Sequence, residues 1–270
     1  MKVFDCTTFY NENMMLELRF NILDPYVDKF VITESKYSHS GEKKKLNFDI
    51  NKFKKFEDKI DYIVIDDLPT DIKKFKKGWN KSHIRDQFQR NSLEKGYKKF
   101  ADEDLIMISD IDEIPDPKKI SEFDINNIYA CFLQRNFQSK INLLNVSDGY
   151  WAGTKICKKK FLKSPQWLRD IKTKKKPFWK FFKKNIQLIN EGGWHFSFLK
   201  NPHSIIKKIK SYAHQEYNVN EFTDLNNIER KISKGLDLFN RDIEYKKVEI
   251  DETFPDYIRE NKQKFKEWIL

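Results

Sequence analysis

With 270 residues, 39% of them hydrophobic and 15% aromatic, the chain has enough apolar material for a packed core, and its 8 glycines exclude a collagen-like or linker protein. Cys6, Cys131 and Cys157 form no Cys-x-x-Cys pair, which argues for reduced, buried thiols and against a cysteine zinc site. The net charge of +11 is local: residues 158–184 hold eleven lysines and Arg169 against Asp170 alone, the remainder is near neutral, and no nucleic-acid motif accompanies the patch, so nucleic acid is not an expected partner.

Strand-like and helix-like segments alternate along the first half. Val3 and Phe4 mark a strand over 2–6. Asn11 is the expected cap of a helix reaching Leu23, with Met15, Leu18 and Ile22 at helical spacing and Pro25 beyond it. KFVIT (29–33) reads as a buried strand, and the polar stretch 36–46, with Ser40–Gly41 inside it, as a loop. DYIVI (61–65) is a second buried strand, 79–96 a helix stopped by Gly96, and LIMIS (105–109) a third buried strand.

The second half is less regular. Residues 128–133 and 151–157 read as strands, EGGWHFSFL (191–199) as a glycine turn entering an aromatic strand, and Asn201–Pro202 as the start of a helix reaching about Tyr217. The remainder reads as helical, broken at Pro255. Continuous apolar strands separated by helices predict an α/β fold: a mixed central sheet flanked by helices, followed by a helical C-terminal region. There is no internal repeat and no long linker, so 1–270 reads as one domain. The opening MKVFDCTTFY lacks the apolar run of a secretory signal, and no apolar run approaches the ~20 residues of a membrane span, so a cytoplasmic location is expected.

The chemistry concentrates where LIMIS runs into Asp110, Ile111, Asp112, Glu113, Ile114 and Pro115. Ligands of open α/β sheets sit beyond the carboxyl ends of the strands. Two carboxylates at positions i and i+2 leaving a strand point the same way and suit a hard divalent cation, with a diphosphate completing the shell. Such a cation offsets charge growing on a departing phosphate. Asp102 and Asp104 share the spacing but precede the strand, and are read as solvated. An EF-hand is excluded, because its central Gly and terminal Glu are missing. Two other readings stay open. One is a phosphohydrolase of the haloacid dehalogenase type with Asp110 as nucleophile, although Ile114 stands where that pattern wants Thr or Val. The other is a non-enzymatic module that docks on anionic surfaces through 158–184, where Phe161, Trp167, Phe178, Trp179, Phe181 and Phe182 interleave with the lysines.

Longer motifs favour a third reading. DLIMISDIDEIPDP (104–117) resembles the metal-site signature of glycosyltransferase family 17, the family of the β-1,4-mannosyl-glycoprotein β-1,4-N-acetylglucosaminyltransferases. FVITESKYSHSGEKKKL (30–46), RDQFQRNSLEKG (85–96) and GGWHFSFL (192–199), followed by Ala213, His214, Gln215 and Glu216, resemble further blocks of that family in the same order. The resemblance implies a GT-A fold, an inverting mechanism, a UDP-GlcNAc-type donor, Mn²⁺ or Mg²⁺, and a glycan or glycolipid acceptor. On that basis 1–120 is the expected nucleotide-sugar half and 121–270 the acceptor half.

The resemblance also implies site roles. Asp112 is the leading metal ligand, with His195 completing the shell, and Asp110 binds metal directly, through water, or contacts the ribose. Glu34, Lys45, Arg85, Arg90, Ser109 and Asp110 are expected donor contacts, although Glu34 also suits a loop cap and Arg90 a surface ion pair. An inverting transferase needs a base for the acceptor hydroxyl, for which Asp170 and Glu191 are the candidates. Trp151 and Trp194 are expected to stack on acceptor sugars, unless they are core residues. The stretch 158–184 is expected to touch an anionic membrane surface or an acidic acceptor.

Overall fold

A computed structural model describes residues 1–67, 81–173, 186–211 and 217–270. The first half builds β1 (Val3–Phe9), α1 (Asn13–Leu23), β2 (Lys29–Ser35), β3 (Ile60–Ile65), α2 (Lys81–Asn91), α3 (Glu94–Tyr97), β4 (Leu105–Ser109) and β5 (Glu113–Pro115). The second builds β6 (Tyr129–Gln138), β7 (Leu143–Asn145), β8 (Trp151–Lys158), α4 (Pro165–Asp170), β9 (Gln187–Ile189), β10 (Gly193–Ser197), α5 (Pro202–Ser211), α6 (Asn220–Thr223), α7 (Leu225–Ser233), β11 (Tyr245–Lys247) and α8 (Asp256–Glu260).

These strands form one mixed sheet in the order β11-β7-β6-β8-β4-β1-β2-β3, with β10 joined to β5 and β6, and β9 alongside β6. β3, β2, β1 and β4 run parallel, and β8 is antiparallel to both β4 and β6. This is the expected α/β architecture, a mixed central sheet flanked by helices. The parallel strands are apolar on both faces because both faces are covered. On one side Phe30, Ile32 and Met107 pack with Phe20 of α1 and with Phe53 and Phe56, the rings of Phe20 and Phe30 lying 4.6 Å apart. On the other side Phe4, Cys6, Val31, Ile106 and Ile108 meet Leu93, Tyr97 and Leu168. A third cluster, including Phe198, Ile205, Ile209, Ile228 and Ile232, ties α5 to α7. All three cysteines are free and buried. Among the described residues, no helix is long and apolar enough to cross a membrane.

Several boundaries differ from the sequence expectation. Asn11 does not cap α1: Glu12 occupies that position without a side-chain cap bond, and Asn11 Oδ1 instead accepts from Lys200 Nζ at 2.8 Å. Gly96 does not stop a long helix but sits inside α3, where a Cβ would come within 2.3 Å of Val31 Cγ1; it is a close-packing glycine. Trp79 and Asn80 of the expected helix, and residues 212–216 at the end of the next, lie outside the described residues. The C-terminal region is less helical than expected, since β11 adds a strand to β7 with Tyr245 opposite Asn145. Three-residue strands such as β7, β9 and β11 are too short to show a period.

β1 lies between β2 and β4, so the chain order reverses across the β1–β4 pair, where Thr7 faces Ser109. The crevice beyond their carboxyl ends is the expected ligand position of an open α/β sheet, and Asp110 opens it.

Candidate active site

The turn after β4 is held from beneath by Arg19. This residue lies in the apolar face of α1, between Leu18 and Phe20, and is fully buried. Its guanidinium binds the Asp5 carboxylate with Nε and Nη2 at 2.6 and 2.5 Å, and also donates to Ser109 Oγ. Nη1 donates to the carbonyls of Glu113 at 2.8 Å and of Asp110 at 3.3 Å. A buried charge stays buried only when paired and hydrogen-bonded; here the pairing fixes the backbone that carries both aspartates.

Glu113 is the second anchor. Its carboxylate is buried and accepts from Arg169 at 2.7 and 2.8 Å, from Trp151 Nε1 at 2.7 Å and from the Asp110 backbone amide at 3.0 Å. With those donors in place it is structural. Asp110 stands between two guanidinium groups: Oδ1 accepts from Arg90 Nη2 at 2.9 Å and Oδ2 from Arg169 Nη2 at 3.2 Å. Burial pushes the Asp110 carboxyl up, but Arg169 and Arg90 outweigh it and hold the group well below the usual carboxylate range.

Asp112 is placed differently. Its side chain is 14% exposed, and its oxygens face His195 Nε2 at 3.9 Å and Lys208 Nζ at 3.5 Å. β10 delivers His195 because it lies antiparallel to β5 with His195 opposite Glu113 and Trp194 opposite Ile114. That approach requires glycine at 193: φ is +126°, and a Cβ would stand 2.3 Å from the Ile114 carbonyl oxygen. Asn136 Oδ1 lies 3.0 Å from His195 Nδ1 and orients the ring so that Nε2 faces Asp112. Trp151 stacks on the imidazole with centroids 4.5 Å apart.

As a cation site this donor set is partial. Among the described residues, no group of three or more His, Cys, Asp or Glu side chains stands ready to hold a metal. The expected trio of Asp110, Asp112 and His195 is not assembled, because both Asp110 oxygens are engaged by arginines. Asp112 with His195 fits an ion that draws its remaining ligands from a diphosphate and water, the usual habit of Mg²⁺. Cations for a diphosphate lie close by. Lys200 Nζ meets Glu12 Oε1 at 3.2 Å. A cavity of about 110 Å³ opens between Tyr10, Asn11 and Glu12 at the end of β1, His39, and Ser204, Lys207 and Lys208 of α5. Lys44 Nζ lies 4.9 Å over the Tyr10 ring.

Other residues singled out in the sequence lie elsewhere. Glu34 is fully buried and accepts from Lys44 at 2.5 Å, the amides of Asn47 and Phe48 at 2.8 and 3.0 Å, and the Tyr62 hydroxyl at 2.8 Å, so it pins the following loop. Lys45 is exposed. Arg85 donates to the His39 carbonyl at 2.8 Å. Ser109 is buried against Arg19. Asp170, at the exposed end of α4, accepts from Gln166, whose Oε1 accepts from Arg90. Glu191 is exposed on the turn before β10 and accepts from the Tyr150 hydroxyl. Successive strand residues point to opposite faces, so Trp194 turns away from His195. It is buried, donates to the Thr253 carbonyl at 2.9 Å, and lines with Glu191 and Arg135 a separate cavity of about 820 Å³.

The basic stretch and the Asp102–Asp104 pair also differ from expectation. Asp104 is not solvated: it is buried and accepts from the amides of Lys2 and Ala101 at 2.8 and 2.9 Å. Lys158 and Lys160 pair with Glu103, and Lys159 with Asp102 at 3.0 Å. Residues 174–185, which hold Phe178, Trp179, Phe181 and Phe182, lie outside the described residues, as do Ala213–Glu216. Sequence reasoning missed Arg19, Asp5, Lys200 and Lys208, and read Arg169 only as part of a charge run. One signal was present: an arginine inside MLELRFNIL is a charge on a core-facing helix.

No curated protein matches the chain. The family model of glycosyltransferase family 17 matches residues 1–266. The chain therefore belongs to glycosyltransferase family 17 and is a glycosyltransferase.

Proposed function

We propose that the enzyme moves GlcNAc from UDP-GlcNAc to a glycan or glycolipid with inversion, using Mn²⁺ or Mg²⁺. The observation that carries this reading is the pairing of Asp112 with Nε2 of His195 at the carboxyl end of β4, flanked by Lys200 and Lys208. Asp112 and His195 would hold the cation, which supplies charge neutralisation for the departing diphosphate when bound. Lys208 and Lys200 add fixed positive charge beside that position, and Arg90 and Arg169 keep Asp110 ionised and still. The Tyr10–His39 cavity at the end of β1, lined by Lys207 and Lys208, takes part of the nucleotide. Trp151, ordered by Glu113 and stacked on His195, walls the sugar from water.

The phosphohydrolase alternative needs Asp110 as a free nucleophile, and two guanidinium groups hold its oxygens. In the proposed cytoplasmic setting, contact with an anionic membrane would rest on 172–184, since Lys158, Lys159 and Lys160 already face acidic partners. Sugar transfer or UDP-GlcNAc hydrolysis, followed as UDP release, tests the main reading. We expect Asp112→Asn to lower kcat/KM at least about 100-fold in a folded protein. Wild-type turnover in that variant, or in EDTA, would refute metal dependence.

A further inference from the structure

A cavity of about 460 Å³ adjoins the Asp112–His195 pair, and His195 and Trp151 are among the residues that line it. Strand alternation decides what faces it. Asn136 and Gln138 of β6 share one face, as do His195 and Ser197 of β10, and the two strands run parallel with His195 beside Asn136 and Ser197 beside Gln138. Asn145 of β7 and Tyr245 of β11, paired across the sheet edge, extend the floor. Tyr150, Trp151 and Tyr217 supply aromatic walls. Amides over the floor and aromatic faces on the sides match the alternating hydroxyl and C–H surfaces of a sugar ring.

The charges are informative. Arg241 reaches the cavity, but its guanidinium is held by Asp237, with Nη2–Oδ1 at 2.7 Å. Among the described lining residues, the one carboxylate is Asp148. It lies on the exposed turn before β8, where Asn145 Oδ1 accepts from its amide at 3.1 Å and Asn145 Nδ2 donates to its Oδ2 at 3.0 Å. Asp170 and Glu191 do not line this cavity.

We propose that this cavity is the acceptor site, that it takes an uncharged saccharide, and that Asp148 is the base that accepts the proton of the attacking hydroxyl. The proposal rests on the transferase reading. As the acceptor oxygen bonds to the anomeric carbon, its O–H proton passes to the Asp148 carboxylate. The bond from that carbon to the phosphate oxygen breaks, and its electron pair leaves with the nucleoside diphosphate. Asp148 then releases the proton to solvent, to which it is open. An acidic sugar would meet Asp148 with no unneutralised cation among the described lining residues to offset it, since Asp237 already balances Arg241.

The test is transfer from a panel of UDP-sugars to neutral p-nitrophenyl hexosides and to p-nitrophenyl glucuronide, with wild type, Asp148→Asn and Asp148→Glu. We expect neutral acceptors to be used and the glucuronide to be at least about tenfold poorer. Asp148→Asn should lower kcat about 100- to 1,000-fold, with the thermal shift induced by UDP-sugar and Mn²⁺ unchanged. Asp148→Glu should recover part of the rate. An Asp148→Asn rate within threefold of wild type, a preference for the glucuronide, or donor hydrolysis with transfer to no neutral hexoside would each overturn the proposal. If the wild type turns over no UDP-sugar at all, the transferase reading falls first and takes the proposal with it.

Discussion

The turn after β4 and the cavity before β8 lie side by side and are built in opposite ways. In the turn, Arg19, Arg90 and Arg169 face Asp5, Asp110 and Glu113, and nearly every charged atom has a partner within about 3 Å. In the cavity, Trp151 is 41% exposed, Asp148 and Tyr150 stand open, and the floor is neutral amide. The first region is rigid before any ligand arrives, which is what stabilising a developing phosphate charge requires. The second, proposed to admit and release an acceptor, is open to solvent. A charged network gives precision, and aromatic walls give access without a fixed charge to desolvate.

The sharpest way to break the contrast is to loosen the turn from below. Arg19→Met should destabilise the protein by ~3–5 kcal/mol, because Asp5 is left buried and unpaired. Replacing both partners, Arg19→Met with Asp5→Leu, should restore much of that stability in urea unfolding and still fail in turnover, because the Asp110 and Glu113 carbonyls lose their donor. Recovery of full activity in the double variant would show that the pairing does not position the turn.

A smaller effect is expected at the junction of the two regions. Gly193→Ala forces a side chain into a φ of +126° and against the Ile114 carbonyl. It should cost about 1–3 kcal/mol and raise the metal requirement by moving His195 from Asp112. Unchanged unfolding would mean that β5 and β10 separate freely.

The smallest effect is electrostatic and separates core from site. Burial pushes the thiols of Cys131 and Cys157 up to about 11 and about 12, and Cys6 well above its ordinary value. The folded chain keeps those protons where the unfolded chain has lost them, so stability should fall as pH rises above about 8.5. Lys155 opposes this: burial lowers it to about 8, so the unfolded chain holds its proton longer and this one group favours folding as pH rises from there. Burial lowers Lys140, Lys200 and Lys231 as well, so the contribution of one group is read by difference. Between pH 8 and pH 10 the stability of Lys155→Met should change less favourably than that of wild type in denaturation; a more favourable change would contradict the assignment.

The parallel half of the sheet was legible because KFVIT, DYIVI and LIMIS are apolar on both faces and long enough to show it, and Asp110 follows one of them directly. The half around β7, β9 and β11 was not, because three residues carry no period and their pairing depends on distant partners. The same division runs through the site. Asp112 and His195 were found through motifs and face each other; Trp151, singled out only as a tryptophan able to stack on a sugar, stacks on His195. Trp194, one residue from His195, belongs to the opposite face, a distinction that needs the strand register. Asp170 and Glu191 were chosen by nearness in sequence, whereas Asp148, which shares a cavity with Trp151 and His195, sits in an ordinary SDGY turn. Arg169 was hidden by the lysines around it, since a charge run does not say which member turns inward.

Asp112, and not Asp110, is the carboxylate proposed to meet the cation, because only Asp110 is held between two arginines. Calorimetric titration of UDP with and without Mn²⁺ into wild type, Asp110→Asn and Asp112→Asn tests this assignment directly. Under it, Mn²⁺ tightens UDP binding in wild type, still does so in Asp110→Asn, and has no such effect in Asp112→Asn. Mn²⁺-dependent tightening that survives in Asp112→Asn and disappears in Asp110→Asn would contradict it.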